Sequence, residues 1–349
     1  VETDRSDHFT ASAFAAKLRT KVEVAPWCGQ VEDVFEKGEH MTKRAVIVGI
    51  NDYTGIDASG NSNLGCCVAD ATSISDLAQS AMGFNSGDVT VITDQAATRS
   101  AVLAALQAMI TASQPGDVAL FYYSGHGSVE PDDPTNPTCE RFYESICTAT
   151  RPFLTDKDLF GIASQLQQSV VNFTVIADSC HSGGLDQEVD AVAKYKSLAL
   201  GSDLSQRISQ YMNTWIPAGI SVPTNADVCK NNVSNVSVSE GGVLMCQEDP
   251  SQIFVDLAKM TLISGCRFWE LSYETNGHGL LTKAMLDSIN SSNFQMTYGD
   301  FISLLQTNVA SSFSSITPPA GYPTTQVPQL RGQSNRMSEG FLQAWNQSK

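Results

Sequence analysis

Short apolar runs punctuate the chain, each closed by a polar or glycine-bearing segment. They fall at residues 43–50, 88–94, 118–123, 173–177, 259–266 and 326–330. Their length and content of Val, Ile and aromatic residues suit buried strands. Between them the apolar residues recur at helical spacing. Helices are expected from Leu64 to about Ser80, over 98–111 with Thr98 as cap, and from Leu154 to about Gln168. Two more are expected over 280–289 and 298–309. Thr155, with Asp158 three residues on, has the form of a capping box. The β-α-β-α-β alternation implies a mainly parallel sheet covered on both faces. The last run contains Pro328, which assigns it to an edge.

Two of these strands end in reactive side chains. The run at 118–123 leads into Ser124, Gly125, His126 and Gly127. The run at 173–177 leads into Asp178, Ser179, Cys180, His181 and Ser182, followed by Gly183 and Gly184. Open α/β sheets place their chemistry at such carboxyl ends. A thiol and an imidazole at one rim are a nucleophile and its base. His126 is the expected acid/base, because His181 leaves the strand end on the side opposite Cys180. The backbone N–H groups of Gly127 and Cys180 are the candidate oxyanion hole.

The rest of the chain divides around these strands. Residues 1–42 read as an arm, with a short helix over 7–21. Residues 43–186 carry the first strands and both reactive ends. Residues 187–250, rich in Asn, Ser, Val and Gly, read as a linker or insertion. Residues 251–349 complete the same domain.

Composition narrows the partners. A formal net charge of −16 disfavours nucleic acid and anionic membranes and suits cationic substrates or metal cations. No apolar run is long enough for a membrane span. The nine cysteines are an odd number without a CxxC pair. They imply free thiols in a reducing compartment, hence a cytoplasmic location. Val1 to Arg5 lack the basic-then-apolar order of a signal peptide. Zinc is not expected, since Cys66, Cys67, Cys180 and His181 lack ligand spacing.

The segments Tyr122-Tyr-Ser-Gly-His126-Gly and Asp178-Ser-Cys180-His-Ser-Gly together resemble the caspase-like cysteine peptidases, specifically the metacaspases. Leu64-Gly-Cys-Cys-Val-Ala-Asp70, Leu262-Ile-Ser-Gly-Cys266 and Gly279-Leu-Leu-Thr282 extend the resemblance over about 43–335. It implies a caspase-like α/β fold, with a central, mainly parallel sheet of about six strands and helices on both faces. It also implies an endopeptidase cutting after Arg or Lys, with Cys67, Asp70, Ser124 and Asp178 lining the first specificity pocket. The doubled Cys66-Cys67 leaves that cysteine assignment open by one position. A regulatory Ca2+ is implied, with Asp156, Asp158, Asp186 and Glu140 as ligands, although Lys157 interrupts the usual acid pair. Asp132 and Asp133 are further candidates, and helix capping is the competing role for Asp156 and Asp158. Self-cleavage is expected at Lys194, Lys196, Arg207 or Lys230, or near Arg19 or Lys21 to release an autoinhibitory arm. Protein or peptide substrates and a monomeric state are expected. The rivals are a non-catalytic scaffold of the same fold and a calcium-independent bacterial-type caspase-like peptidase.

Overall fold

The computed structural model describes residues 41–131, 142–166, 171–180, 194–196, 260–267, 270–275, 277–292, 294–318, 323–332 and 334–344. These belong to one compact unit. Residues 1–40 of the expected arm, most of the linker, and Asp132, Asp133, Glu140, His181 and Asp186 lie outside the described residues.

Six strands form the central sheet: β1 (Lys43–Gly49), β2 (Val89–Thr93), β3 (Val118–Ser124), β7 (Asn172–Asp178), β9 (Thr261–Ser264) and β12 (Gln329–Arg331). Their order is β12-β9-β7-β3-β1-β2. Neighbours run parallel except β12, which is antiparallel to β9. The last strand is shorter than the apolar run around it. Pro328 has no N–H to give, so pairing starts at Gln329. Gln326 instead spends its amide on Tyr273 N, Gly265 O and Ser272 Oγ.

Strand alternation supplies two cores. Ala45, Ile47, Leu120, Tyr122 and Ile176 face one side. There they pack with α1 (Cys67–Ser80), α4 (Leu280–Ser292) and α5 (Tyr298–Phe313). Val46, Val48, Phe121, Tyr123 and Val175 face the other. They pack with α2 (Arg99–Ala112) and α3 (Asp156–Ala163). Thr98 caps α2, and Thr155 with Asp158 closes a capping box on α3. The latter helix ends at Ala163, short of the expected Gln168.

Helix α1 begins without a side-chain cap of its own. The orphan amides of a helix start must find other acceptors. Asn51 Oδ1 takes Cys67 N at 2.8 Å, and Glu274 takes Gly65 N at 2.9 Å and Cys66 N at 3.2 Å. A residue from the far end of the chain thereby anchors the loop that leads to Asp70.

Two small sheets flank the rim. The first is β4 (Gly127–Pro131), β5 (Phe142–Ile146) and β6 (Leu154–Thr155). The second is β8 (Lys194–Tyr195), β10 (Tyr273–Thr275) and β11 (His278–Gly279). Neither is visible as an apolar run in the sequence. No described helix is long and apolar enough to cross a membrane.

Candidate active site

Strands β3 and β7 run side by side with Ser124 opposite Asp178, so His126 and Cys180 leave the sheet at one rim. Both are buried. The His126 backbone is pinned. Its N–H donates to Tyr53 Oη at 2.8 Å, and its carbonyl accepts from Tyr123 Oη at 2.7 Å and Cys147 N at 2.9 Å. A Cβ on Gly125 would strike both tyrosine hydroxyls, so the turn into His126 requires glycine. Imidazole Nε2 lies 2.7 Å from the Ser62 carbonyl. A carbonyl can only accept, so Nε2 carries a proton and Nδ1 is the ring's basic position. The Cys180 sulfur accepts Ser272 N–H at 3.1 Å.

One side chain of the chain itself fills the pocket beside this pair. Lys196, immediately after β8, is wholly buried, as are Asp70 and Asp178. Its Nζ meets Ser124 Oγ at 2.8 Å, Asp178 Oδ1 at 3.1 Å and Asp70 Oδ2 at 3.2 Å. Three partners match the three donors of an ammonium. Burial works against the charge, but the carboxylates, Asp178 foremost, hold the Lys196 pKa well above its ordinary value. Burial would likewise push Asp70 up. The ammonium and hydrogen bonds from His278, Ser124 and Gly279 outweigh it and hold this carboxyl below the usual range.

The Lys196 backbone is engaged just as fully. Its carbonyl accepts Gly127 N at 2.9 Å and Cys180 N at 3.2 Å, and its N–H donates to Ser272 O at 2.9 Å. Lys194 and Tyr195 pair antiparallel with Glu274 and Tyr273. The segment therefore lies as an added strand on β10, with its carbonyl held by the two candidate oxyanion donors.

Both halves of the chain build the pocket. Asp178 accepts Ser272 Oγ at 2.7 Å, Thr282 Oγ1 at 2.6 Å and Thr282 N at 3.0 Å. Asp70 accepts Ser124 Oγ at 2.7 Å and Gly279 N at 3.1 Å. A Cβ on Gly279 would collide with the Asp178 carboxylate and with Lys196 Nζ, so any larger residue there would close the pocket.

Of the two adjacent cysteines, Cys67 is fully buried among Ser124, Lys196 and Glu274, and burial first of all pushes its thiol well up in pKa. Cys66 is partly exposed, and burial followed by Glu274 pushes it up to about 11. Neither is a thiolate at neutral pH. Among the described residues, every cysteine is free.

The acids assigned to calcium separate. Asp158 does not present a free carboxylate. Arg99 grips both oxygens, at 2.6 and 3.1 Å, and Oδ2 also closes the capping box with Thr155. The capping role, one of the two expected for this residue, is the one its contacts display. Asp156 is buried, and its Oδ1 accepts the Lys157 backbone N–H at 2.6 Å. Burial, then the charge of Glu144, pushes its carboxyl up to about 8. Among the described residues no group of three or more His, Cys, Asp or Glu side chains is arranged to hold a metal.

Several participants have no signal in the sequence. Ser62 acts through its carbonyl, Ser272 through both its backbone and its hydroxyl, and Glu274 and His278 reach the pocket from strands of two or three residues. The basic linker residues mark Lys196 as one of several alternatives, and its place in the pocket is a finding of the structure; Arg207 and Lys230 lie outside the described residues.

Comparison with known proteins agrees with the geometry. The model of the caspase domain family matches residues 42–337. Metacaspase-4 of Arabidopsis thaliana is 33% identical over 153 residues, 42% of this chain and 35% of that protein. Metacaspase-1 of Schizosaccharomyces pombe is 23% identical over 290 residues, 78% of this chain and 66% of that protein. Metacaspase-1 of Cryptococcus neoformans is 33% identical over 150 residues, and the chain spans only 32% of its length. The crystal structure of protein GSU0716 from Geobacter sulfurreducens superimposes with a TM-score of 0.53 at 22% identity, covering 84% of this chain and 93% of that one.

Proposed function

Because the chain belongs to the caspase domain family, we propose that it is a cysteine endopeptidase that cuts after Lys or Arg and cuts itself after Lys196. The observation that carries this reading is Lys196 itself, seated with its ammonium between Asp70 and Asp178 and its carbonyl on Gly127 N and Cys180 N. An extended peptide would dock as the self-segment does, by strand addition to β10. The thiolate of Cys180 attacks the carbonyl carbon, and His126 takes up the thiol proton. Charge that develops on the carbonyl oxygen falls where the two N–H groups already point. The C–N bond breaks as His126 returns the proton to the leaving amine, leaving an acyl-thioester. Water, deprotonated by His126, then frees the acid and restores the thiol. Arginine offers the same two carboxylates a planar fork.

The test is a mass time course of the purified full chain, with peptide substrates ending in Lys, Arg and Asp. We expect a new C-terminus at Lys196, turnover of the Lys and Arg peptides only, and neither in Cys180→Ala. Cleavage after Asp would overturn the pocket assignment. An intact wild-type chain that turns over no peptide even with millimolar Ca2+ present would mean that Lys196 is a permanent plug and the fold a scaffold.

Calcium activation is a second part of the proposal, and it fits some of the expected residues. Buried Asp156, with Glu144 beside it, suits a hard cation; Asp158, held by Arg99, does not. Asp156 and Glu144 would hold the ion together with acids such as Asp186 and Glu140. Its chemistry would be to neutralise and order the loops flanking the rim. We expect millimolar Ca2+ to raise the thermal midpoint of the Cys180→Ala chain by about 2–5 °C. Asp156→Asn should abolish that shift. An equal shift in the variant would place the ion elsewhere.

A further inference from the structure

We infer that His278 sets the charge of the specificity pocket, and that a cationic substrate side chain and a proton on His278 oppose each other's binding through their shared partner, Asp70. The inference rests on the Lys/Arg reading of the pocket and names a specificity-determining residue within it. His278 stands at the start of β11, after the Gly277 turn. Its Nδ1 lies 2.9 Å from Asp70 Oδ1, while Lys196 Nζ lies 3.2 Å from Oδ2 of the same buried carboxylate. The carboxylate thus has one oxygen for each of two cations.

Among the described residues, five charged groups bear on His278. Asp70 on α1 attracts a proton to it. Lys196 after β8 and Lys283 on α4 repel one. Glu274 on β10 is taken up by the Gly65 and Cys66 amides, and Asp178 on β7 by Ser272, Thr282 and Lys196. The Cys66 thiol, with its pKa near 11, is neutral. The Asp70 hydrogen bond leads in holding the imidazolium up in pKa, against burial and those two lysines. Partial exposure of the ring, 27%, leaves its proton in exchange with water.

By linkage, a ligand cation that lowers the His278 pKa is itself bound less tightly wherever His278 is protonated. With the imidazolium present the pocket holds two negative charges against one positive. With it neutral, the full double charge faces the substrate. Binding of Lys or Arg therefore strengthens as pH rises through the His278 pKa and releases a proton.

Two measurements test this. The first compares kcat/KM and KM of processed wild type and His278→Gln on a Lys peptide from pH 5.5 to 8.5. Gln keeps a donor for Asp70 but carries no charge. In wild type KM should rise about fivefold as pH falls from 8 to 6, on the rule that one pKa unit of coupling is worth at most tenfold. In the variant KM should stay flat, with kcat following the same profile in both. Superimposable KM profiles would overturn the inference. The second needs no catalysis. Imidazole NMR titrations are run on Cys180→Ala and on Cys180→Ala/Lys196→Gln, with the His278 resonance identified by its loss in His278→Gln. Removing the lysine charge should raise the His278 pKa by about one unit. An unmoved pKa would refute the coupling even if Lys and Arg peptides are cut. A raised pKa in a protein that cuts neither peptide would uphold the coupling and reject the peptidase reading.

Discussion

Asp178→Asn is expected to lower kcat/KM for Lys and Arg peptides by roughly two to three and a half powers of ten. Its carboxylate is the leading counter-charge of the bound ammonium and is itself fully buried. Removing one partner of a buried pair leaves the other uncompensated, at a cost of roughly 3–5 kcal/mol, and each 1.36 kcal/mol is about tenfold in rate. Asparagine keeps the size and one acceptor oxygen, so Thr282 or Ser272 retains a partner and the strand ends stay in place. The loss therefore belongs to the charge. Parallel assays on the same peptide ending in Gln, which needs no counter-charge, separate the two: the variant should be nearly unimpaired on that poor substrate. A loss below tenfold on Lys would show that Asp70 alone supplies the charge.

Lys196→Ala in the Cys180→Ala background should destabilise the uncut chain, and more so as pH rises. In the parent, the Asp70 carboxyl lies below its ordinary value when folded. That contribution is present at pH above the unfolded value and is lost as pH falls through the folded one. Without the ammonium, two buried carboxylates face each other, and burial, no longer outweighed, raises the folded pKa of Asp70 above its unfolded value. The contribution then has the opposite sign. It is present at low pH, where the acids are protonated, and is lost as pH climbs. The thermal midpoint at pH 8 should fall by roughly 5–10 °C, and the gap between variant and parent should narrow toward pH 5. His278, if protonated beside Asp70, softens the effect. A gap independent of pH would mean that packing of the lysine stem, and not its charge, stabilises the closed pocket.

The large features of this molecule are local in origin and so could be read from sequence. The strands at 43–49, 118–124 and 172–178 carry mostly apolar stretches, polar chiefly at their ends, because both faces of a parallel sheet are covered. Thr98 and Thr155 announce helix starts through hydroxyls that cap amides only a turn away. Cys180 and His126 are legible because each ends such a strand. What could not be read is built from long-range pairs. Asp70 and His278 are 208 residues apart, and Glu274 reaches Gly65 across 209. Strands β8, β10 and β11 are too short for any period to emerge, and their pairing depends on the pocket they complete. Asp158 stays open between two roles in the sequence for a related reason: a capping acid and a ligand acid look alike there, and the Arg99 that holds both its oxygens comes from another helix.

The order β12-β9-β7-β3 means that the chain re-enters its own sheet after the segment carrying Lys196. Strand β9 lies parallel against β7 through Thr174–Ala177 and Thr261–Ser264, and Asp178 is tied to Thr282 and Ser272 from the later half. Scission after Lys196 would thus be a covalent event with little mechanical content. Two polypeptides would continue as one particle, interleaved strand beside strand, and the peptide bond would be the least of what joins them. The pocket, assembled from both, would outlast the connection that once filled it.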